Sequence, residues 1–237
     1  SGGEKNWDNI GTYLTRSIVP LKAQITLGDT ATPSDIFDSV QMRGALLASD
    51  DEMLPDSQRG FAPVVRGIAK SNAEVSIEQN GYVIYRTFVQ PGAFEINDLY
   101  PTANSGDLTV IIKEADGSEQ RFIQPFSSVA IFQREGHLKY SLAAGEYRAG
   151  NYNSDRPHFG QFNTMYGLPF GMTAYGGALI SEEYNAFALG LGKNFGSIGA
   201  ISVDITQAKS TLQDDSTDQG QSYRFLYSKS FASGTDF

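Results

Sequence analysis

Residues 187–206 read FALGLGKNFGSIGAISVDIT, and this stretch decides the class of fold. Phe187 and Leu189 alternate with small residues, and the alternation returns at Ile201 and Val203 after a glycine-containing break. A period of two residues is typical of a β-strand with one apolar and one polar face. The stretch therefore predicts two successive strands joined by a turn.

The same alternation recurs elsewhere in the chain. Further segments include Leu138 and Tyr223, and two earlier segments cover residues 21–27 and 40–46. Tight connections, such as residues 168–171, alternate with a long polar one at residues 210–220. Alternating faces with short turns at one end and longer loops at the other are typical of an outer-membrane β-barrel. A soluble sandwich with one wet face gives the same alternation, so the pattern favours the barrel and leaves the sandwich open.

Residues 51–127 have a different texture, which is dominated by two hairpin signals. Asn80-Gly81 and Asp116-Gly117 each separate two strand-like runs, and both dipeptides tolerate the positive φ of a type I′ turn. Short strands at roughly ten-residue spacing predict a small β-sandwich of about 75 residues. The side chains that we expect in its core are Val75, Ile77, Val110, Ile112, Phe122 and Ile123. The charged side chains that we expect on its surface are Glu74, Glu78, Arg86, Lys113, Glu114, Glu119 and Arg121.

Composition and charge exclude several classes of function. The 237 residues include 18 Lys and Arg against 27 Asp and Glu, so the formal net charge is −9. An acidic chain repels phosphate backbones, so we expect no nucleic-acid partner. The absence of cysteine removes thiol catalysis, disulfides and Cys-ligated zinc. His137 and His158 lack metal-ligand spacing and no nucleophile–base pair can be assembled. We therefore predict no enzyme activity, no catalytic residue, no cofactor and no metal site.

Neither a transmembrane helix nor a targeting segment is visible in the sequence. There is no apolar run of about 18 residues, and no basic segment followed by an apolar one opens the chain. The beginning at Ser1 reads as a loop, and the end at Phe237 does not resemble a natural terminus. We expect the chain to be a fragment of a longer protein.

An ordered set of motifs resembles the fimbrial outer-membrane usher proteins, in particular the type 1 fimbrial ushers. The blocks are LPDSQRGFAP at residues 54–63, VQPGAFEINDL at 89–99, EADGS at 114–118, QREG at 133–136 and AGEYR at 144–148. Their order and spacing are also similar to those of the family. The resemblance extends over essentially the whole chain and is densest from residue 54 to residue 148.

The resemblance implies an all-β fold: an antiparallel transmembrane β-barrel segment with an inserted Ig-like β-sandwich plug domain. Residues 1–53 would form barrel strands and a hairpin, at residues 30–51, that holds the plug. Residues 54–126 would form the plug, and residues 127–237 further barrel strands. At roughly 20 residues per strand and connection, the part outside the plug would give about eight strands, which is too few for a usher pore.

The resemblance also implies a function. Ushers are translocation pores of the chaperone–usher pathway in the Gram-negative outer membrane, and a plug closes the resting pore. The chain would be the segment whose plug gates secretion and assembly of pilus subunits. Its partners would be periplasmic chaperone–pilin subunit complexes, met through the full-length protein, and outer-membrane lipid; the full-length protein could be a homodimer. The alternative is a soluble or surface-exposed β-sandwich adhesion module.

A gate that must open needs contacts that are individually weak. Exposed ion pairs contribute about 0–1 kcal/mol each, so a set of them between the plug and a charged lumen would suit such a gate. We therefore predict a latch of charged side chains between the plug and the barrel. The candidates are Arg43, Arg59, Arg66, Glu74 and Arg86.

Overall fold

Fifteen β-strands make up the described part of the chain. The computed structural model describes residues 11–55, 58–100, 107–124, 131–148, 156–195, 198–211 and 217–228. In chain order the strands are β1 (Tyr13–Ile18), β2 (Ala23–Ala31), β3 (Gln41–Ser49), β4 (Val65–Ala69), β5 (Ala73–Gln79), β6 (Tyr82–Val89), β7 (Gly92–Ile96), β8 (Leu108–Lys113), β9 (Glu119–Gln124), β10 (Leu138–Tyr147), β11 (His158–Leu168), β12 (Met172–Ser181), β13 (Tyr184–Asn194), β14 (Ala200–Thr211) and β15 (Thr217–Ser228). No helix among these residues is long and apolar enough to cross a membrane.

The chain makes one large sheet and an insertion. The large sheet has nine strands in the order β1-β2-β3-β10-β11-β12-β13-β14-β15, and every neighbouring pair is antiparallel. The chain leaves this sheet after β3 and returns as β10, which pairs directly with β3. Strands β4 to β9 are therefore inserted between two neighbouring strands. They form a two-stranded sheet, β4-β7, and a four-stranded sheet, β6-β5-β8-β9.

The two faces of the large sheet differ in chemistry, as the alternation predicts. On the outer face Leu142 pairs with Phe162, and both side chains are exposed. On the inner face Ser141 pairs with Asn163, and both are buried. Large exposed apolar side chains continue along the outer face to Phe225 on β15. A sheet whose outward face is apolar and whose covered face is small and polar matches the strands of a membrane barrel.

Both predicted hairpins are present, but only the one at Asn80-Gly81 has the predicted turn. Asn80 and Gly81 have φ angles of 52° and 82°, as a two-residue type I′ turn requires. Strand β8 instead ends at Lys113, and β9 begins only at Glu119. The Ser118 amide donates to Oδ1 of Asp116 at 2.9 Å, and this local bond competes with a tight type I′ turn.

The connection between β14 and β15 is shorter than expected. The sequence predicts a polar loop at residues 210–220, but the ladder continues to the pair Thr211 and Thr217. Pairing uses backbone groups, so a polar run can extend a strand when its neighbour supplies the partners. Residues 212–216 lie outside the described residues.

The insertion has its own apolar core, and two expectations about it are wrong. Val75, Ile77 and Val110 are fully buried there, and Phe122 packs against them. Ile123 instead is 63 % exposed, because adjacent residues of a strand point to opposite faces. Glu114, which we expected on the surface, is 5 % exposed. Its position just beyond the end of β8 turns its carboxylate toward the backbone of Lys70 and Ser71.

The hairpin expected at residues 30–51 is mostly part of the large sheet. The ladder between β2 and β3 runs from the pair Ala23 and Ser49 to the pair Ala31 and Gln41. Between these strands, residues 32–40 leave the sheet. The large sheet also has nine strands rather than about eight. The predicted domain limits at residues 53 and 126 stay predictions, and residues 125–126 lie outside the described residues.

Candidate functional site at the neck of the insertion

The chain leads into the insertion through residues 50–55 and 58–61 and out of it through residues 131–137, and these two segments together are called the neck. The second segment lies directly on the inner face of the sheet. A Cβ atom on Gly167 would be 1.7 Å from the carbonyl oxygen of Arg134. A Cβ atom on Gly192 would be 2.9 Å from the ring of Phe132. Glycine at these two positions therefore lets the neck lie close against the large sheet, which is called the wall from here on.

The neck also joins the apolar core of the insertion to the wall. The rings of Phe61 and Phe132 lie 5.5 Å apart and are tilted by 43°. Phe132 is buried in the same cluster as Ala200 of β14. The backbone amide of Gln133 donates to Oγ1 of Thr173 on β12 at 3.0 Å. The insertion is thus seated on the inner face through both apolar contacts and hydrogen bonds.

Arg134 is the most highly connected side chain of the neck. Its Nε donates to the carbonyl oxygen of Gly60 at 2.8 Å, and its Nη1 donates to that of Asn97 at 3.3 Å. Its Nη2 donates to the carbonyl oxygens of Arg59 at 3.1 Å and Leu99 at 2.6 Å. One guanidinium therefore ties the entry segment of the neck, at Arg59 and Gly60, to the loop that follows β7 in the insertion.

The environment of Arg134 makes these bonds strong. The side chain is buried, and burial lowers the pKa of Arg134 from its usual value, although an arginine stays charged at neutral pH. Hydrogen bonds to a charged group contribute about 1.5–3 kcal/mol, roughly twice as much as neutral ones. Removal of the guanidinium would leave several carbonyl groups without a partner inside the neck.

Arg66 connects the insertion to the neck by ion pairs. Its Nε lies 3.0 Å from Oε2 of Glu95 on the neighbouring strand β7. Its Nη2 lies 3.4 Å from Oε2 of Glu135, which belongs to the neck. The Arg66 side chain is 47 % exposed, so water screens both pairs and each is weak.

The entry segment of the neck is held by Arg59 and His137. Arg59 donates from Nε to the carbonyl oxygen of Leu54 at 3.0 Å and from Nη2 to that of Glu52 at 2.6 Å. Nε2 of His137 lies 3.1 Å from Oδ1 of Asp51, which joins the two segments of the neck. The hydrogen bond from His137 lowers the pKa of Asp51 from its usual value.

The other three latch candidates lie away from the neck. Arg43 pairs with Asp29 at 2.8 Å, and both belong to the large sheet. Glu74 and Arg86 pair with each other at 3.2 Å across β5 and β6 of the insertion. The structure thus brings Arg59 and Arg66 together at the neck and leaves Arg43, Glu74 and Arg86 elsewhere. The latch role of all five residues stays a prediction.

Sequence reasoning missed the neck residues that make the most specific contacts. Arg134 belongs to the QREG block that carries the resemblance, but its partners are carbonyl oxygens at least 35 residues away. Such a contact leaves no pattern in the sequence. His137 and Asp51 lie 86 positions apart, so their pair leaves no local pattern either.

The arrangement at the neck can hold two parts of a chain together. Its contacts include hydrogen bonds from the arginines Arg59 and Arg134, screened ion pairs and the aromatic contact of Phe61 with Phe132. Among the described residues, no group of three or more His, Cys, Asp or Glu side chains could hold a metal ion.

A family model and two relatives in sequence indicate the same protein family. The family model described as "Outer membrane usher protein" matches residues 1–237. The chain is 76 % identical over 235 residues to the outer membrane usher protein LpfC of Salmonella typhimurium, which covers 99 % of the chain and 28 % of that protein. It is 57 % identical over 237 residues to the outer membrane usher protein FimD of Escherichia coli K12, with 100 % and 27 % covered. The chain thus spans just over a quarter of the length of these relatives.

Solved structures agree with the sequence relatives. The structure titled as the P pilus usher (PapC) translocation pore matches with a TM-score of 0.55 and 37 % identity, over 96 % of this chain and 46 % of that one. PapC in an E. coli P pilus tip assembly intermediate with PapD, PapK and PapG matches with a TM-score of 0.67 and 39 % identity, over 94 % and 28 %. The predicted fold class, an antiparallel transmembrane β-barrel segment with an inserted Ig-like β-sandwich, is confirmed. The chain belongs to the outer membrane usher protein family.

Proposed function

We propose that this chain is the plug-bearing segment of an outer-membrane translocation pore. In this proposal the insertion is the plug, and it gates the secretion and assembly of pilus subunits. The observation that carries the proposal is the set of four carbonyl groups bound by Arg134. These bonds tie the insertion to the neck, and the neck lies on the inner face of a sheet whose outer face is apolar.

The division of the chain follows from the same proposal. Residues 1–53 and 127–237 form the wall of the pore, and residues 54–126 form the plug. The chain leaves and re-enters the wall between adjacent strands, so the plug can move without breaking the ladder between β3 and β10. The action is steric, and no catalytic group takes part in it.

Location and partners belong to the full-length protein. The outer face of the large sheet carries exposed apolar side chains from Leu142 to Phe225, which fits lipid of the bacterial outer membrane. The assembly intermediate that contains the relative PapC with PapD, PapK and PapG supports partners from pilus assembly. We propose periplasmic chaperone–subunit complexes as these partners and a homodimer as a state of the full-length protein.

Single-channel conductance in a planar bilayer tests the proposal. The full-length protein is compared with the same protein lacking residues 54–126. We expect a mostly closed channel for the first and a large, steadily open one for the second. Equal conductance, or no channel in either case, would contradict the proposal and favour a sandwich module with another role.

A further inference from the structure

A short loop of the wall folds back on itself between β2 and β3. Residues 32–40 are called the strap. The amide of Thr32 donates to the carbonyl oxygen of Val40 at 3.0 Å, and the amide of Val40 donates to Oγ1 of Thr32 at 2.9 Å. The hydroxyl of Ser39 donates to the carbonyl oxygen of Thr32 at 2.7 Å. These bonds close the base of the strap, so its middle can move as one unit.

The strap lies on the inner face of the large sheet. Ile36 is buried in a cluster with Met165 of β11. The ring of Phe37 comes within 2.8 Å of the place that a Cβ atom on Gly177 would take. Asp35 also pairs with Nζ of Lys139 on β10 at 2.8 Å. The contacts of Ile36 and Phe37 and the ion pair of Asp35 thus hold the middle of the strap on the large sheet.

An unpaired amide lies beside Phe37. The side chain of Asn163 is 2 % exposed, and neither its oxygen nor its nitrogen has a hydrogen-bond partner among the described residues. Its Oδ1 lies 2.7 Å from the same Cβ position on Gly177 that the Phe37 ring approaches. The strap therefore shuts this amide off from water on the inner face.

A second unpaired amide belongs to the same strand and the same face. Gln161 is 2 % exposed, and both polar atoms of its side chain also lack a partner among the described residues. It lies between Asn163 and Phe159 along β11, and Phe159 packs in a cluster with Val40 of the strap. The two amides form a strip along the wall, and the strap borders it at both ends.

The docked position of the strap therefore has an unfavourable contribution to its free energy. A buried amide without a partner costs free energy, because it has given up its hydrogen bonds to water. The apolar contacts of Ile36 and Phe37 offset this cost only while the strap stays in place. When the strap leaves the wall, water or another polar group satisfies Gln161 and Asn163.

We propose that the strap is a displaceable cover over a polypeptide-binding strip formed by Gln161 and Asn163. This inference rests on the proposed function, in which polypeptides pass along the inner face. A primary amide carries the same donor and acceptor groups as a peptide bond, so it can bind peptide groups of any sequence. Small side chains beside the strip, at Ser141, Gly177 and Ala188, leave room for such a ligand.

Thiol labelling tests the cover. Asn163→Cys is introduced into the full-length protein without other accessible cysteines, and its reaction with a charged thiol reagent is timed. We expect slow reaction in the resting protein and at least tenfold faster reaction when Phe37→Ser is added. The control is Ser222→Cys, because Ser222 is exposed on β15 and belongs to the row of register partners that begins at Asn163. Its cysteine should react at the same rate with and without Phe37→Ser. Equal rates for Asn163→Cys in both backgrounds would overturn the cover.

Pilus assembly tests the strip. The double variant Gln161→Leu/Asn163→Leu removes the unpaired amides, so we expect a higher melting temperature and at least a threefold loss of surface pili. Thr206→Leu/Ser222→Leu, in the same row but away from the strap, should leave pili unchanged. A lower melting temperature, or unchanged pili, would overturn the strip.

These results can be separated from those on gating. If deletion of residues 54–126 fails to open the channel, the proposed plug function fails. The labelling difference at Asn163→Cys is read without the plug deletion, so it still decides whether the strap covers the wall.

Discussion

The phenolic oxygen of Tyr175 donates a hydrogen bond to Oδ2 of Asp204 at 3.0 Å, although strand β13 lies between them. Gly190 of β13 is the register partner of both residues. A Cβ atom there would lie 2.3 Å from the Tyr175 ring, so only glycine lets the ring cross the strand. Nε of Arg224 binds the same carboxylate oxygen at 2.9 Å, which extends the row across four strands of the inner face.

The first prediction concerns Gly190. Gly190→Ala should displace the Tyr175 ring and weaken its bond to Asp204, because the added Cβ atom would lie 2.3 Å from the ring, which is buried. We expect a loss of roughly 1–3 kcal/mol, the usual cost of overpacking. The temperature at which the full-length protein loses its folded migration on a gel measures this loss. Gly220→Ala is the control, because a Cβ atom there meets nothing within 4 Å; equal losses would contradict the prediction.

The second prediction concerns Arg134. Arg134→Ala should release the insertion, because four carbonyl groups lose their shared donor. A loss of about 3 kcal/mol corresponds to roughly a hundredfold rise in the open population. Single-channel recordings measure the open fraction. Arg121→Ala, whose partner Glu119 is two residues away on the same strand, should leave it unchanged. Equal open fractions for Arg134→Ala and Arg121→Ala would show that Arg134 does not hold the channel closed.

The third prediction concerns the pH dependence of Asp51. Its pKa is lowered in the folded protein, chiefly by the hydrogen bond from His137, so its contribution needs the ionised carboxylate. This stability is present above the unfolded pKa of about 3.9 and is lost as the pH falls through the lower folded value. Asp51→Asn should therefore lower the melting temperature at pH 6. In strong acid the melting temperatures of the variant and the unsubstituted protein should become equal. A gap that widens toward acid would contradict this sign.

The fourth prediction concerns Glu114 inside the insertion. Its carboxylate accepts bonds from the amides of Lys70 and Ser71 and from the amide group of Gln120. The Lys70 amide is the main cause of a lowered pKa at Glu114. Glu114→Gln should lower the melting temperature of the full-length protein more than Glu119→Gln does, since Glu119 is exposed. Thermal melts of the two variants at neutral pH decide the point, and a larger effect at Glu119 would contradict it.

Removal of the Arg66 pairs should have a small effect. Arg66→Gln breaks exposed pairs with Glu95 and Glu135, which contribute about 0–1 kcal/mol each. Only the Glu135 pair joins the insertion to the neck, so the open fraction of the channel should rise by no more than about fivefold. At 1 M salt it should approach the open fraction of the unsubstituted protein, because screening then acts within a few ångströms. A rise as large as that of Arg134→Ala would make Arg66 the main latch.

The sequence predicts the strands in which apolar and polar residues alternate clearly, and it predicts which of their faces is apolar. The alternation at Phe187 and Ile205 and the turn at Asn80-Gly81 are properties of a few neighbouring residues, so they can be read locally. The family motifs added the order of wall, insertion and wall, which no periodicity contains.

The contacts that hold the insertion in place depend on tertiary packing. Arg134 meets Leu99 because the neck crosses the large sheet at Gly167, and Glu114 is buried because the connection between β4 and β5 packs on it. Both contacts join residues more than 30 positions apart, so they depend on how strands are aligned and how loops pack. A side chain's own neighbours in sequence carry no record of such partners, so the sequence alone did not single out Arg134 or Glu114 for these contacts.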